Sequence, residues 1–345
     1  MSTETVLAIR DNLKASRLLQ DQILISWHSG EPLVHSPTFF EFAFEAFSPE
    51  NFDNIEIKQT LQTNGMLISD QFCELFKRHH VHIGISIDGP QQIHDRHRRD
   101  RKQKGTWHQV MSGLKKLQKH NIPFSVITVL TAEALNHPDE LYQFYIDHGI
   151  HTVGFNIDEL EGAHTNSSYS DEKIKEKYCD FFRRLISLCR KDKILNVREF
   201  SFLMQMSRLD GELPFNNQTE PLATINISAE GDFSTYSPEL LDAKHEQFGN
   251  FILGNVHGQP IVNCLNNAKF LTLSEEISRG VAACEQSCAY YSICKGGAPS
   301  NKYFENGSFD STQTLYCYFR TQLLTDIFFE ELLPSQADFE HAQNA

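Results

Sequence analysis

The sequence lacks long apolar runs and any excess of basic residues. No apolar segment approaches the roughly 20 residues of a membrane-spanning helix, and the residues after Met1 contain no apolar core of a secretory signal. Lys and Arg number 31 against 45 acidic residues, which gives a net charge of −14. Such a surface repels a phosphate backbone. We therefore expect a cytoplasmic protein with neither a membrane nor a nucleic-acid partner.

The sequence also lacks the dense cysteine pattern of a small disulfide scaffold, because its eight cysteines are spread over 345 residues. Four are scattered, and we expect them to be ordinary core thiols outside any metal site: Cys73, Cys179, Cys189 and Cys264. The other four fall together near the C-terminus and are called the cysteine quartet: Cys284, Cys288, Cys294 and Cys317. This asymmetry indicates a metal site.

The quartet supplies four thiolates, which is what a fully ligated [4Fe–4S] cube requires. Zinc accepts the same ligands, but the short repeated spacing of paired zinc knuckles is absent. Gly296 and Gly297 follow the third cysteine and would let the backbone fold closely around a bulky cluster. The pattern favours an iron–sulfur cluster, with zinc or four unrelated buried thiols as the alternatives.

The first half of the chain alternates between short apolar runs and amphipathic segments. The predicted strands are 23–27, 55–61, 81–87, 124–130 and 152–157. The predicted helices are 3–19, 39–47, 70–79, 107–120, 138–148 and 171–190. This rhythm predicts an α/β fold in which helical crossovers join parallel strands, with the chemistry at the carboxyl ends of the strands.

A change to Asn, Gln, Pro and Thr at 213–221 predicts a linker. Beyond it, 223–228 and 233–236 predict a β-hairpin around a Gly-containing turn. A loop-rich region is expected next, followed by the quartet and a terminal helix near 321–333. We predict one domain over 1–215 and a second over 222–335.

The strand ends carry motifs that together resemble those of radical S-adenosylmethionine (SAM) enzymes. The segment 29–32 (SGEP) is similar to their GGEP motif, and matches continue in order at 62–65 (QTNG), 84–90 (GISIDGP), 94–98 (HDRHR) and 104–106 (KGT). The quartet resembles the SPASM domain of the peptide-modifying branch, and the chain looks closest to cyclophane-forming, GrrM-like maturases. The resemblance implies a partial (β/α)6 TIM-like barrel without its first strand, followed by a small SPASM-type domain.

The resemblance also implies a SAM site. Its residues, by the part of SAM they would meet, are Ser29, Gly30 and Glu31 at the amino group, Asn64 beside the molecule, Ser86 and Asp88 at the ribose hydroxyls, and Arg98 at the carboxylate. Glu31 would accept through its carboxylate or its backbone, and Ser29 departs from the family's usual glycine. The alternative interpretation of each segment is an ordinary turn or strand terminator.

The main departure from the family is the missing CxxxCxxC loop, whose three thiolates leave one iron open for SAM. The first cysteine here is Cys73, and no such triplet occurs anywhere in the sequence. We expect an N-terminally truncated or degraded chain whose strand 23–27 has an unpaired edge. A quartet that fills all four irons leaves none open for SAM, so we expect no 5′-deoxyadenosyl radical. The hairpin contains no cysteine, which predicts a single auxiliary cluster.

The resemblance implies a maturase that forms a carbon–carbon crosslink, or a related side-chain oxidation, in a ribosomally synthesised peptide. Its partners would be a precursor peptide and an electron donor such as a ferredoxin or flavodoxin. Two alternatives stay open: a non-catalytic peptide- or SAM-binding module with a structural metal site, and a sulfatase-maturase-like oxidation of Cys or Ser. Asn156, Glu159 and Glu161 follow or end the last predicted strand and would face either substrate or solvent.

Overall fold

A computed structural model describes residues 1–16, 18–19, 21–52, 55–160, 166–171, 173–208, 215–241, 243–246 and 248–332. Within these ranges no helix is both long and apolar enough to cross a bilayer.

The centre of the fold is a six-stranded parallel sheet whose strands lie side by side in chain order. The strands are β1 (Gln22–Trp27), β2 (Glu56–Thr63), β3 (His82–Ser86), β4 (Phe124–Leu130), β5 (Thr152–Ile157) and β6 (Asn196–Val197). Every neighbouring pair is parallel, as the alternating pattern predicts. All six carboxyl ends therefore meet at one edge of the sheet, and β1 lies at its end.

Amphipathic helices connect the strands and cover the sheet. They are α1 (Thr3–Ser16), α2 (Pro37–Ala46), α3 (Asp70–Arg78), α4 (Gln91–His97), α5 (Trp107–Lys119), α6 (Pro138–Asp147), α7 (Ile174–Asp192) and α8 (Arg198–Arg208). In α3, for example, the Ser69 side chain caps the N-terminus by accepting from the Phe72 N–H at 3.2 Å. The helix then buries Phe72, Leu75 and Phe76 on one face.

The second part of the chain begins with an antiparallel hairpin and small strands. They are β7 (Ile225–Ile227), β8 (Asp232–Thr235), β9 (Lys244–His245), β10 (Gly249–Asn250) and β11 (Gly254–Asn255). Helices follow: α9 (Ala268–Ser287), α10 (Tyr291–Cys294), α11 (Pro299–Asn306), α12 (Leu315–Cys317), a π-helical turn (Tyr318–Leu323) and α13 (Leu324–Leu332). The antiparallel pairing of β7 with β8 confirms the predicted hairpin.

Several elements of the secondary structure differ from the sequence prediction, and two of these differences bear on function. The loop-rich region expected before the quartet is wrong for α9, a 20-residue helix that buries Phe270, Leu273 and Ile277 at helical spacing. Neither β6 nor α8 was predicted. The strand β6 has two residues and gives no periodic signal, whereas α8 buries Phe200, Leu203 and Met206 at helical spacing. Both matter for function, since α9 carries Cys284 and α8 carries the fully buried Glu199.

Two hydrophobic cores hold the fold together, and each draws on both parts of the chain. The first fills the space around the sheet and includes Phe319 and Phe328 from the C-terminal region. The second packs Val6 and Ile9 of α1 against the hairpin residue Phe233 and neighbouring side chains. The C-terminal region is thereby fixed against the sheet. The domain boundary at 215–222 stays a prediction, and the predicted linker lies partly outside the described residues.

Candidate functional site

The turn after β1 is attached to the turn after β2 through the Glu31 carboxylate. That carboxylate accepts from Thr63 Oγ1 and from the Asn64 N–H at 2.7 Å each, and from the Leu33 N–H at 3.0 Å. Ser29 and Gly30 have φ values of +70° and +58°, so the chain reverses sharply just before it. Each oxygen of the Glu31 carboxylate thus accepts from at least one protein donor.

The next two strand ends present Asn64 and Ser86. Asn64 Oδ1 accepts from the Met66 N–H at 2.9 Å, a local turn that fixes the side chain. Ser86 Oγ lies 3.1 Å from Gln62 Nε2, which donates to it from the neighbouring strand. Gln62 also covers Gly84, where an added Cβ would come within 1.9 Å of its Oε1. The structure thus places both predicted residues at the same edge as Glu31.

Asp88 and Arg98, predicted as separate SAM ligands, form a bidentate ion pair with each other. Arg98 Nε donates to Asp88 Oδ2 at 2.7 Å and Arg98 Nη2 donates to Oδ1 at 3.0 Å. The Val129 N–H donates to the same Oδ1 at 3.0 Å. The Asp88 side chain is 5% exposed and the Arg98 side chain 26%. The pair therefore links the end of β3 to β4 and leaves part of the guanidinium accessible.

His94, fully buried, closes a ring of hydrogen bonds around this pair. Its Nδ1 accepts from the Asp88 N–H at 3.3 Å, and its Nε2 lies 3.1 Å from Thr106 Oγ1, which in turn donates to the Arg98 carbonyl. Burial lowers the pKa of His94 to about 4, although Asp88 opposes the shift. The imidazole of His94 is therefore neutral at pH 7, with Nδ1 as hydrogen-bond acceptor and Nε2–H as donor. The sequence offers only the spacing of the HD and KGT motifs as a signal for this network.

The cysteine quartet lines a single cavity of about 290 Å³ next to the C-terminal helices. Cys284 lies in the last turn of α9, and Cys288 ends that helix with its N–H bonded to the Cys284 carbonyl at 2.8 Å. Cys294 ends α10 and Cys317 ends α12. Four thiols separated by up to 33 positions are thus brought to one space.

Side chains that were not predicted from the sequence stabilise the quartet's loops by hydrogen bonds. Asn216 Nδ2 donates to the carbonyls of Cys294 and Gly297 at 3.0 Å each. The Glu305 carboxylate accepts from the N–H groups of Leu315 and Tyr316, just before Cys317. Of these contacts none has a sequence signature, since Asn216 lies 78 positions from the cysteine whose carbonyl it binds. Only tertiary folding reveals them.

The electrostatics of the thiols agree with a shared cavity. Burial raises the pKa of Cys294, and the other three thiols raise it further, while the Gly296 N–H lowers it. Burial also raises the pKa of Cys317, against hydrogen bonds from Thr314. Two of the scattered cysteines behave as core thiols: burial raises the pKa of Cys73 and of Cys264 to about 11 each.

The spacing of the quartet bears on the choice of metal. Zn–S bonds of about 2.3 Å place the sulfurs of one zinc site about 3.8 Å apart. No group of three or more His, Cys, Asp or Glu side chains in the described part of the chain is close enough to hold a single ion. A four-iron cube separates its thiolates more widely and fills a larger volume. The thiolates themselves do not separate the two metals, because soft ligands suit both zinc and iron–sulfur clusters.

One contact joins the quartet's cavity to the sheet edge. Asn301, which lines the cavity, donates from Nδ2 to Oε2 of Glu159 at 2.5 Å, just beyond β5. Asn156 Oδ1 accepts from Arg198 Nη2 at 2.9 Å. Glu161, the third predicted polar residue, lies outside the described residues. Glu159 thus lies where the two candidate sites approach each other.

A second cavity, of about 420 Å³, shares Cys294 and Tyr316 with the first. It is lined by Arg320 and Thr325, whose Nε and Oγ1 atoms are buried without a hydrogen-bond partner. Arg320 also donates from Nη2 to the buried Glu199 at 3.2 Å, so part of its charge is compensated. Both atoms lie beneath the surface of the cavity, and neither has a hydrogen-bond partner among the described residues.

Comparison with known proteins identifies the class. The family model of the radical SAM superfamily matches residues 2–145. An uncharacterised protein of Synechocystis sp. is 39% identical over 318 residues, which cover 91% of this chain and 80% of that protein. A serine-type anaerobic sulfatase-maturating enzyme of Bacteroides thetaiotaomicron is 23% identical over 82% of this chain and 70% of its own length. The chain belongs to the radical SAM superfamily, a family of enzymes.

Solved structures support the same fold. The enzyme anSMEcpe, with bound AdoMet and a Kp18Cys peptide, has a TM-score of 0.73 at 20% identity, covering 100% of this chain and 91% of that one. Streptococcus suis SuiB bound to the precursor peptide SuiA has a TM-score of 0.57 at 14% identity, covering 92% and 69%. The predicted α/β class, the enzyme class and the SAM and iron–sulfur cofactors of the family are confirmed.

Proposed function

We propose that this chain is a radical SAM/SPASM-type peptide maturase that holds one [4Fe–4S] cluster on the cysteine quartet, but that as written it lacks the ligands of a SAM-cleaving cluster and is inactive on its own. The observation that carries the proposal is the convergence of four distant thiols on one cavity, which Asn301 and Glu159 join to the sheet edge. Relatives with sulfatase-maturating names and a neighbour bound to a precursor peptide support a peptide as substrate. An electron donor such as a ferredoxin or flavodoxin stays a prediction.

The sheet edge supplies the groups that would bind SAM. The backbone of 29–31 would accept from the amino group, and the accessible part of the Arg98 guanidinium would meet the carboxylate. Asn64 and Ser86, both partly buried at neighbouring strand ends, would contact the remainder. The ring of Asp88, His94, Thr106 and Arg98 would hold these groups in place. Bound SAM and a reducing cluster together supply the one-electron chemistry of the family.

The quartet would serve a different role from that of a SAM-cleaving cluster. Four thiolates ligate all four irons, so no iron stays open to SAM. The sequence contains no CxxxCxxC triplet to build a second, open cluster. The proposed role of the quartet is electron relay or support of the fold. We expect this polypeptide alone to form no 5′-deoxyadenosine when it is incubated with SAM and dithionite, and detection of that product would contradict the assignment.

Anaerobic purification with iron, sulfide and zinc quantification tests the cluster. We expect about four irons per chain and broad absorbance near roughly 400 nm. A colourless protein that contains one zinc would refute the iron–sulfur assignment and favour the alternative of a structural zinc site.

The second cavity is the proposed site for part of the peptide, because it adjoins the quartet through Cys294 and Tyr316. Arg320 and Thr325 line it, and each has a buried donor without a partner among the described residues, which would turn toward a peptide carbonyl or carboxylate. Replacing Thr325 with Val keeps the shape but removes the hydroxyl, and should weaken binding of a labelled peptide. Thr272→Val is the control, since among the described residues its hydroxyl donates to the Ala268 carbonyl of its own helix and lines neither cavity. Equal affinities of the two variants would exclude Thr325 from the site.

Two peptide chemistries compete, and the choice of probe peptide separates them. The sulfatase-maturase-like reading is favoured by the names of several relatives, and it predicts binding of a peptide around the target Cys or Ser of a sulfatase. The crosslinking reading predicts preference for a Gly-rich precursor peptide with aromatic residues. Fluorescence anisotropy with both peptides measures the preference without requiring SAM cleavage. If the chain bound neither peptide, the proposed function would be refuted, although the chain would keep the fold of the family.

A further inference from the structure

Lys302 is a buried lysine on the wall of the quartet's cavity. It lies in α11 and is 4% exposed, and its Nζ is 3.5 Å from Cys284 Sγ. That sulfur is the only side-chain partner of the ammonium group within the described ranges, where no carboxylate forms an ion pair with it. Lys302 is therefore a cation buried beside a thiol.

The backbone around Lys302 makes room for this contact. A Cβ at Gly280 of α9 would come within 3.1 Å of Lys302 Nζ and within 2.2 Å of the Phe309 carbonyl oxygen. Glycine at this position avoids the clash with the Phe309 carbonyl and leaves room for the ammonium group, one helical turn before Cys284 on α9. The approach of the ammonium group to the sulfur is thus part of the packing of α9 against α11.

Burying an ammonium group without a negative partner is strongly unfavourable. A neutral thiol does not compensate that charge, but a thiolate of an anionic iron–sulfur cluster does. The burial of Lys302 is therefore consistent with a cavity that is occupied by negative charge. Adding one electron to the cluster makes it more negative, and a fixed cation nearby stabilises the reduced state more than the oxidised state.

We propose that Lys302 is a positioning residue whose positive charge, acting through Cys284, raises the reduction potential of the quartet's cluster. The proposal rests on the proposed function, since it requires the cluster. Its consequence is that the quartet's cluster accepts an electron more readily than the same four cysteines would without the lysine.

The test is an anaerobic redox titration of the full chain with dithionite and mediators, followed by electron paramagnetic resonance. Lys302→Met removes the charge but keeps the length of the side chain. We expect its cluster to be at least about tenfold harder to reduce, a downward shift of about 59 mV for a one-electron couple. Lys302→Arg keeps the charge and should stay near the wild-type potential. Lys58→Met, at an exposed position on β2, is the control for the loss of a remote charge.

Each outcome decides the proposal. An unchanged potential in Lys302→Met, with iron content equal to wild type, would overturn it. Loss of iron in Lys302→Met but not in Lys302→Arg would support a role for the charge, and loss in both would indicate a packing role and overturn it. A wild-type chain without iron would refute the proposed function as well, so the two failures are distinguishable.

Discussion

The two candidate sites differ in how their polar groups are satisfied. At the sheet edge, Glu31 and Asp88 each accept hydrogen bonds from several protein donors, and Arg98 is paired with Asp88. In the quartet's cavity, four thiols surround an open volume, and Lys302 lacks a carboxylate partner among the described residues. The charged groups of the sheet edge thus have protein partners, whereas the lysine of the cavity requires a negatively charged ligand such as the proposed cluster. The first site should tolerate loss of its ligand far better than the second.

The largest expected effect is loss of the cluster. In the double variant Cys288→Ala/Cys294→Ala, iron should fall from about four per chain to well under one, because two ligands cannot hold a cube. Cys179→Ser, at a thiol of α7 outside the cavity, is the control and should keep its iron. Retention of iron in the double variant would show that the quartet's cavity is not the site of the cluster, contrary to the comparison of the two regions.

At the sheet edge, removing Arg98 should destabilise the protein strongly even in the absence of SAM. Arg98→Met leaves the buried Asp88 carboxylate without its cation, which costs about 3–5 kcal/mol of unfolding free energy. Urea denaturation measures the change. Arg96→Met, which removes an exposed pair with Glu133, is the matched control and should cost less than about 1 kcal/mol. Equal effects of both substitutions would mean that the buried pair has no structural role.

His94 should make the sheet edge sensitive to acid. The pKa of His94 is lowered from 6.5 to about 4 in the native state. Below pH 6.5 the unfolded state therefore binds a proton that the imidazole does not bind in the native state until about pH 4. Stability should therefore fall between about pH 6.5 and about pH 4, by up to roughly 1.4 kcal/mol per pH unit from this group. Urea denaturation at several pH values measures the slope. His94→Gln should be less stable at pH 7 but less dependent on pH, and an unchanged slope would exclude His94 as the source.

The smallest expected effect concerns Glu31. Glu31→Gln replaces one acceptor oxygen with an NH₂ group that faces protein donors, and should cost about 1–3 kcal/mol of unfolding free energy. Glu56→Gln, in an exposed pair with Lys58, should change the stability little. If Glu31→Gln weakened SAM binding without any loss of stability, Glu31 would be a ligand rather than a support of the two turns.

Much of the fold could be predicted from sequence periodicity. Five of the six sheet strands were found close to their observed bounds, since each is an apolar run that ends in a turn. The order of the sheet follows from the alternation with helices. The strand β6 was missed because two residues carry no period, and α9 was missed because the charges and the single cysteine of its sequence obscured a buried face at helical spacing. Length and amphipathicity decide which elements a sequence reveals.

The order of residues along the chain specifies the ligand types and the places where chemistry can occur: four clustered cysteines, and polar turns after parallel strands. It did not determine the state of those groups. Only the tertiary structure pairs Asp88 with Arg98 and buries Lys302 beside Cys284, because these contacts join residues 10 and 18 positions apart through the packing of whole elements. Spacing along the chain specifies which polar groups are available for a site. The free energy of burying those groups specifies which of them must be paired with a hydrogen-bond or ionic partner.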